Sequence, residues 1–218
     1  MTAYDFAISG QHYLFDVQSF AHTVLAAGGD AYSYGLLDRT TQGVIDDVVS
    51  GTSELGVIMQ TSATADVLNA ALAEAGLTFH ELAVSAPLVA LPASHPLVNA
   101  KSLAIEQLAD YPYVYFDQGE DAPIAFYEEA LAEVPRAKKV ACTDRASLTE
   151  LIMAINGYTI TSGILVGITD GSALTTIPLK TNIQLHLGYV TADNRELTVM
   201  GERFVSHLKR SLDYYAQA

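Results

Sequence analysis

The chain has 218 residues, half of them apolar, which is enough for one domain or two small ones with a real core. It carries 25 acidic against 11 basic residues, a formal net charge of −14, and no long basic run. That field repels phosphate backbones, so the chain as written is a poor binder of nucleic acid. Cys142 is the only cysteine, which excludes an internal disulfide and a multi-cysteine metal site. No run approaches the length of a membrane span, and the N-terminus lacks a basic segment followed by an apolar core. The expected compartment is the cytoplasm; a secreted or periplasmic home would require a leader already removed.

In chain order, Tyr4–Ile8 reads as a first strand. The turn Ser9-Gly10-Gln11-His12 follows, with a helix beginning at Gln11 or His12. A helix start presents unpartnered backbone N–H groups and the positive end of the macrodipole, so this turn suits an anion or a polar small molecule. Leu14, Val17, Phe20, Ala21, Val24 and Leu25 form the helix's apolar face, and Gly28-Gly29 ends it. Ala31–Leu36 is a second strand. Thr40-Thr41 caps an amphipathic helix that stops at Gly51, and Leu55–Met59 is a third strand. The β-α-β-α-β order implies a doubly wound parallel sheet. A helix over Asp66–Ala75 and strands Leu77–Ser85 and Pro87–Leu91 come next, with Ser85-Ala86-Pro87 as a hinge into a second lobe. Beyond it lie a short helix at Ile105–Leu108, a strand at Tyr113–Phe116, a helix at Pro123–Ala132 and a strand at Lys138–Thr143. A helix from Asp144 to Gly157, a strand at Tyr158–Thr161 leading into Ser162-Gly163, and a strand at Leu174–Pro178 complete that lobe. Gln184–Thr191 returns as a strand, and Glu196–Tyr215 is a terminal helix. The reading is α/β, with residues 1–85 and 183–218 as lobe I and 86–182 as lobe II. Hinges fall near 85–87 and 179–183, and each lobe is a mostly parallel sheet flanked by helices.

Several stretches together resemble the LysR-type transcriptional regulators. Ala93-Ser94-His95-Pro96-Leu97 followed by Leu108-Ala109-Asp110-Tyr111-Pro112-Tyr113-Val114 is similar to a "pASHPL … LadyPyi" passage of that family. Asp47 to Gly51 with Glu54 to Ile58, Asp144 to Leu148, and Asn156 to Ile160 match further passages in order and spacing. Ile8-Ser9-Gly10-Gln11-His12-Tyr13 resembles a subgroup reading close to S-S-Q-H-Y.

The resemblance covers the family's effector-binding part only; the family's winged helix-turn-helix is not among these residues, and a domain cut from a longer regulator is expected, with a free-standing binding protein as the alternative. The resemblance implies the two-lobed fold of type 2 periplasmic binding proteins, with a small metabolite in the inter-lobe cleft altering how a dimer or tetramer holds DNA. DNA contact is then implied for a longer parent and not for these residues. The implied ligand contacts are Ser9, Gly10, Gln11 and His12 at the first turn, Gln60, Thr61 and Ser62 at the exit of the third strand, and Asp117 and Gln118 in the second lobe. The first helix and the strand edge near Ala31–Leu36 are the implied homodimer surface, meeting Pro123–Ala132 of a two-fold partner.

The residues themselves add Thr40 at a helix start on the same sheet edge, and Thr161 and Ser162 facing it from the second lobe. Thr161 and Ser162 could equally be turn residues bonding local backbone. Arg145 is expected to pair with Asp144 or Glu150. Cys142 is expected as a small buried hydrophobe. The acidic pairs Asp46-Asp47, Glu120-Asp121 and Glu128-Glu129 are expected on solvated faces. No G-x-G-x-x-G, P-loop, H-E-x-x-H or G-x-S-x-G occurs, and the histidines have no metal-ligand spacing, so no enzyme, metal or cofactor is expected. Few basic residues lie near the cleft, which favours a neutral polar effector or one with a single carboxylate or sulfate. The reading favoured is an effector-binding regulatory domain. A free-standing solute-binding protein of a transport system and a pure oligomerisation module with an occluded cleft are the alternatives.

Overall fold

A computed structural model describes residues 4–162, 164 and 174–215. The first strand, β1 (Phe6–Gly10), is buried at every position, as a strand covered on both faces must be. It leads through the turn into α1 (Leu14–Ala27), then β2 (Tyr34–Asp38), α2 (Thr41–Ser50) and β3 (Leu55–Thr61). Next come α3 (Ala65–Glu74) and β4 (Leu77–Ser85), after which the chain leaves the first sheet. β5 (Leu88–Pro92), β6 (Tyr113–Phe116), β7 (Lys139–Cys142), α4 (Arg145–Ile155), β8 (Thr159–Thr161) and β9 (Leu174–Pro178) form the second lobe. β10 (Leu185–Ala192) and α5 (Val199–Tyr215) return to the first. Gly163, into which β8 was expected to lead, lies outside the described residues.

The first sheet has the order β2-β1-β3-β10-β4, and β10 runs antiparallel to both neighbours. The second lobe has a β8-β5-β9 sheet, antiparallel throughout, and a parallel β6-β7 pair joined to it by a single bridge between Tyr113 and Tyr158. Strand directions are therefore more mixed than the mostly parallel sheets expected. The cause is the double crossing: a strand that leaves for the other lobe and one that returns from it must run in opposite directions. β4 and β10 are such a pair.

Local differences from the expected elements have physical causes. α1 begins at Leu14 because the N–H groups of Gln11, His12 and Tyr13 bond to Val57 O, Glu128 Oε2 and Gln11 O instead of entering a helix. Its buried side chains are Phe15, Asp16, Ser19 and Thr23, whereas Leu25 is 79% exposed. Ser19 and Thr23 donate to the carbonyls of Phe15 and Ser19 one turn back, which lets their hydroxyls face the interior. β2 lies a few residues later than expected, at the sheet edge, in register from Phe6–Tyr34 to Gly10–Asp38.

The helix expected over Pro123–Ala132 is replaced by a 3₁₀ turn at Ile124–Phe126 and irregular backbone, with Leu131 left-handed at φ 60°. Ala125, Phe126, Glu128, Glu129 and Ala130 are all buried, and an amphipathic helix cannot bury nearly consecutive residues in this way. Ala125 and Phe126 join Val44, Ile45, Val48, Ile58, Leu68 and Leu72 in the apolar cluster of the first lobe. The segment expected to meet a two-fold partner is thus largely spent on its own chain.

Cys142 is buried in β7, as expected, and burial pushes its thiol up to about 11. Among the described residues no helix is long and apolar enough to cross a membrane.

Candidate functional site

The turn after β1 meets the second lobe at a buried carboxylate. Glu128 accepts from the His12 backbone N–H at 2.9 Å, pairs with His12 Nδ1 at 2.8 Å and accepts from Gln118 Nε2 at 2.8 Å. His12 and Glu128 side chains are 4% and 2% exposed. The His12 ring lies flat on Phe116, with centroids 4.0 Å apart. Gln118 continues across the cleft: its Oε1 accepts from Thr41 N at 2.9 Å, at the first turn of α2. The Thr41 hydroxyl donates to Phe126 O at 2.6 Å and receives Gln11 Nε2. Tyr13 O–H bonds the Glu128 carbonyl at 3.3 Å. Burial opposes charge on His12, but the Glu128 hydrogen bond and its negative charge outweigh that and raise the imidazole pKa.

Beside this seam, Arg145 at the start of α4 reaches into the first lobe. It contacts Asp38 at 2.7 Å, Asp16 at 3.4 Å and the Gln11 carbonyl at 3.3 Å. The pairing expected with Asp144 or Glu150 does not form; Asp144 instead caps α4, accepting from Ser147 N at 2.8 Å. Asp16 is fully buried, and burial pushes its carboxyl up to about 7 even with Arg145 drawing it down. Gly10 makes room for that carboxylate, since a Cβ there would overlap Asp16 Oδ2. Gly10→Ala is therefore expected to cost about 1–3 kcal/mol by overpacking, measured by urea unfolding.

Between these two contacts lies a cavity of about 100 Å³. His12, Tyr13 and Leu14 wall it from the first lobe, and Phe116, Arg145, Leu148 and Ile160 are among those that wall it from the second. Thr149, Thr159, Thr161, Glu128 and Glu129 add polar groups to the lining. Glu129 is 4% exposed; its Oε1 accepts from Phe116 N at 2.8 Å, while its Oε2 has no hydrogen-bond partner among the described residues. Arg145 Nε is likewise without a hydrogen-bond partner among them. Burial and the neighbouring Glu128 charge push the Glu129 carboxyl well above the usual carboxylate range. The expected solvated face for Glu128-Glu129 is wrong: both are buried, one satisfied by donors from two lobes and the other held against β6.

The structure brings together only part of the expected site. His12 and Thr161 line the cavity, and Gln118 braces it through Glu128. Ser162, 4% exposed, is a local turn residue whose hydroxyl accepts from Ile164 N at 3.4 Å. Ser9 is fully buried and faces α2, bonded to Asp47 and Ser53 at 2.6 Å each. Gln11 is spent on Thr41 and on Met59 N, at 2.7 Å from the latter. Thr40 caps α2 by accepting from Gly43 N at 3.1 Å. Thr61 bonds Thr64, and Ser62 ties the return crossing by accepting from Gln184 N. Glu128, Glu129, Phe116 and the cross-lobe role of Arg145 were not anticipated. The one available signal was an acidic pair set among residues of buried type, Ala125-Phe126 and Ala130-Leu131.

The model of the LysR substrate binding domain matches residues 35–213. No curated protein sequence matches significantly. Among solved structures, HinK, a LysR family transcriptional regulator from Pseudomonas aeruginosa, is similar at 15% identity and TM-score 0.65, over 95% of this chain and 70% of that one. The reduced OxyR regulatory domain from the same organism is similar at 13% identity and TM-score 0.65, over 98% and 96%. The effector binding domain of QuiR in complex with shikimate is similar at 13% identity and TM-score 0.61, over 97% of each chain. At these identities the structural likeness speaks for the type 2 periplasmic-binding-protein-like fold alone. The family match spans most of the sequence and carries the assignment: this chain belongs to the LysR substrate-binding domain family, which is regulatory and ligand-binding, not catalytic.

Proposed function

We propose that the chain is the effector-binding regulatory part of a LysR-type transcriptional regulator, with a small molecule held in the cavity between His12–Leu14 and α4. The observation that supports it is a mostly apolar cavity walled from both lobes, with buried polar groups at its rim. A ligand touching both lobes stabilises the arrangement in which both walls are in reach, and so shifts the lobes about crossings near 85–87 and 179–183. At about 100 Å³ the cavity is smaller than the ~150 Å³ apolar cavity that admits benzene, which points to a compact effector. The site residues in this reading are His12, Gln118 and Thr161 from the expected set, joined by Phe116, Glu128, Glu129, Arg145 and Leu148.

In the longer parent, homodimers or tetramers would carry the lobe shift to DNA in the cytoplasm. The outer face of α1, with Leu25 exposed, and the edge strand β2 are the proposed dimer surface. The family match favours this reading over a solute-binding protein of a transport system.

Leu148→Trp tests the cavity by filling it. A compound that raises the melting temperature of the wild type by roughly 5–10 °C at saturating concentration should leave Leu148→Trp unshifted. Equal shifts in both proteins would place the binding elsewhere.

A further inference from the structure

Glu128 occupies a seat that is built for a carboxylate. Three donors converge on it, the His12 backbone N–H, the His12 ring and the Gln118 amide, and two of them belong to the lobe opposite the segment that carries Glu128. Charge-assisted bonds of this kind are strong and directional, and nothing in them requires that the carboxylate belong to the same chain. The segment carrying Glu128 is irregular beyond its 3₁₀ turn, and Leu131 three residues on is held left-handed at φ 60°, a conformation that costs a leucine free energy. The seat opens onto the cavity, since His12, Phe116 and Glu128 line both, and Leu14, Leu148, Ile160 and Leu174 are there to take an apolar body.

We propose that Glu128 is an internal stand-in for the effector's carboxylate: the chain fills its own carboxylate seat until a compact carboxylic acid exchanges for Glu128, releasing the stretch beyond Phe126 from the first lobe while Ala125 and Phe126 stay anchored in its apolar cluster. The proposal rests on reading the inter-lobe cavity as the effector site, and it narrows the effector to an acid with a small apolar body. Exchange conserves the hydrogen bonds at His12 and Gln118, so the switch turns on the difference between holding the segment down and burying the ligand's body.

Chemical rescue tests it. Glu128→Ala should lower the melting temperature by roughly 5–10 °C. Millimolar sodium acetate should restore at least half of that loss in a saturable way, and sodium chloride at equal ionic strength should not. Adding His12→Ala should abolish the rescue. No rescue, or equal rescue by chloride, overturns the proposal. If Glu128→Ala does not fold, Glu128→Gln keeps the side chain's shape: its His12 ring resonances should move on adding acetate, while those of the wild type hold still at the same concentration. Resonances that stay in place in the variant also overturn it. A neutral compound that stabilises the wild type through the cavity, with Glu128 still on His12, would leave the effector reading standing and sink the exchange alone.

Discussion

Arg145→Ala is expected to lower the unfolding free energy by about 1–2 kcal/mol more near pH 8 than near pH 5, because it strands a buried carboxylate that can shed its charge only by taking a proton, and with a carboxyl already at about 7 that escape costs little more than one pKa unit at pH 8. Asp16 is fully buried and Arg145 is a cation in contact with it, so without the guanidinium its negative charge has no counterpart in reach. Near pH 5 the carboxyl, already pushed up to about 7 in the intact protein, takes a proton, and what is lost is chiefly the exposed contact to Asp38 and the bond to the Gln11 carbonyl. Urea unfolding of both proteins across this range measures the difference. Arg145→Lys should recover only part of the loss, since one ammonium cannot hold Asp16, Asp38 and a carbonyl in the geometry of a guanidinium. A loss in Arg145→Ala that does not change with pH would contradict the burial of a charged Asp16.

The second large effect is on the wild type itself: its stability is expected to fall as pH rises from about 5 to 8. The folded Asp16 keeps its proton up to about 7, whereas the unfolded residue loses it near 3.8. Stability from this group is therefore fully present below 3.8 and lost as pH rises through 7. That difference corresponds to about 4 kcal/mol by linkage. The raised pKa of His12 acts with the same sign, its contribution present below 6.5 and lost above the folded value. Glu129, held well above its ordinary range by burial and by Glu128, adds in the same direction. His95 and His207, both lowered by burial, oppose the trend. Asp16→Asn should flatten the curve. A stability that rises over this range would contradict the assignment.

The fold was largely legible because its signals are local. Runs such as Leu55–Met59, the Thr40 cap, the Gly51 stop and the Asp144 cap each announce an element boundary within a few residues. The site was less legible because its bonds are not local. Glu128 meets His12 across 116 positions and Arg145 meets Asp38 across 107, and short-range pairing rules pointed to Asp144 and Glu150 instead. Ser9, Gln11 and Thr40 lie at the expected sheet edge, yet their polar atoms are consumed by Asp47, Ser53, Met59, Thr41 and Gly43. Residue type and sheet edge pointed to the turn; which of its side chains keep free polar atoms depended on partners that only the folded chain supplies. The Pro123–Ala132 pattern misled for the same reason, since its acidic pair looks like a solvated helix face until His12 and Gln118 are seen facing it.

The central claim is that one ligand touches both lobes at the cavity. The most direct measurement is a backbone amide NMR titration with a compound that raises the melting temperature. The account predicts saturable shifts around His12–Leu14 in the first lobe and around Leu148–Thr149 and Thr159–Thr161 in the second, all with one dissociation constant. Shifts confined to one lobe would contradict it.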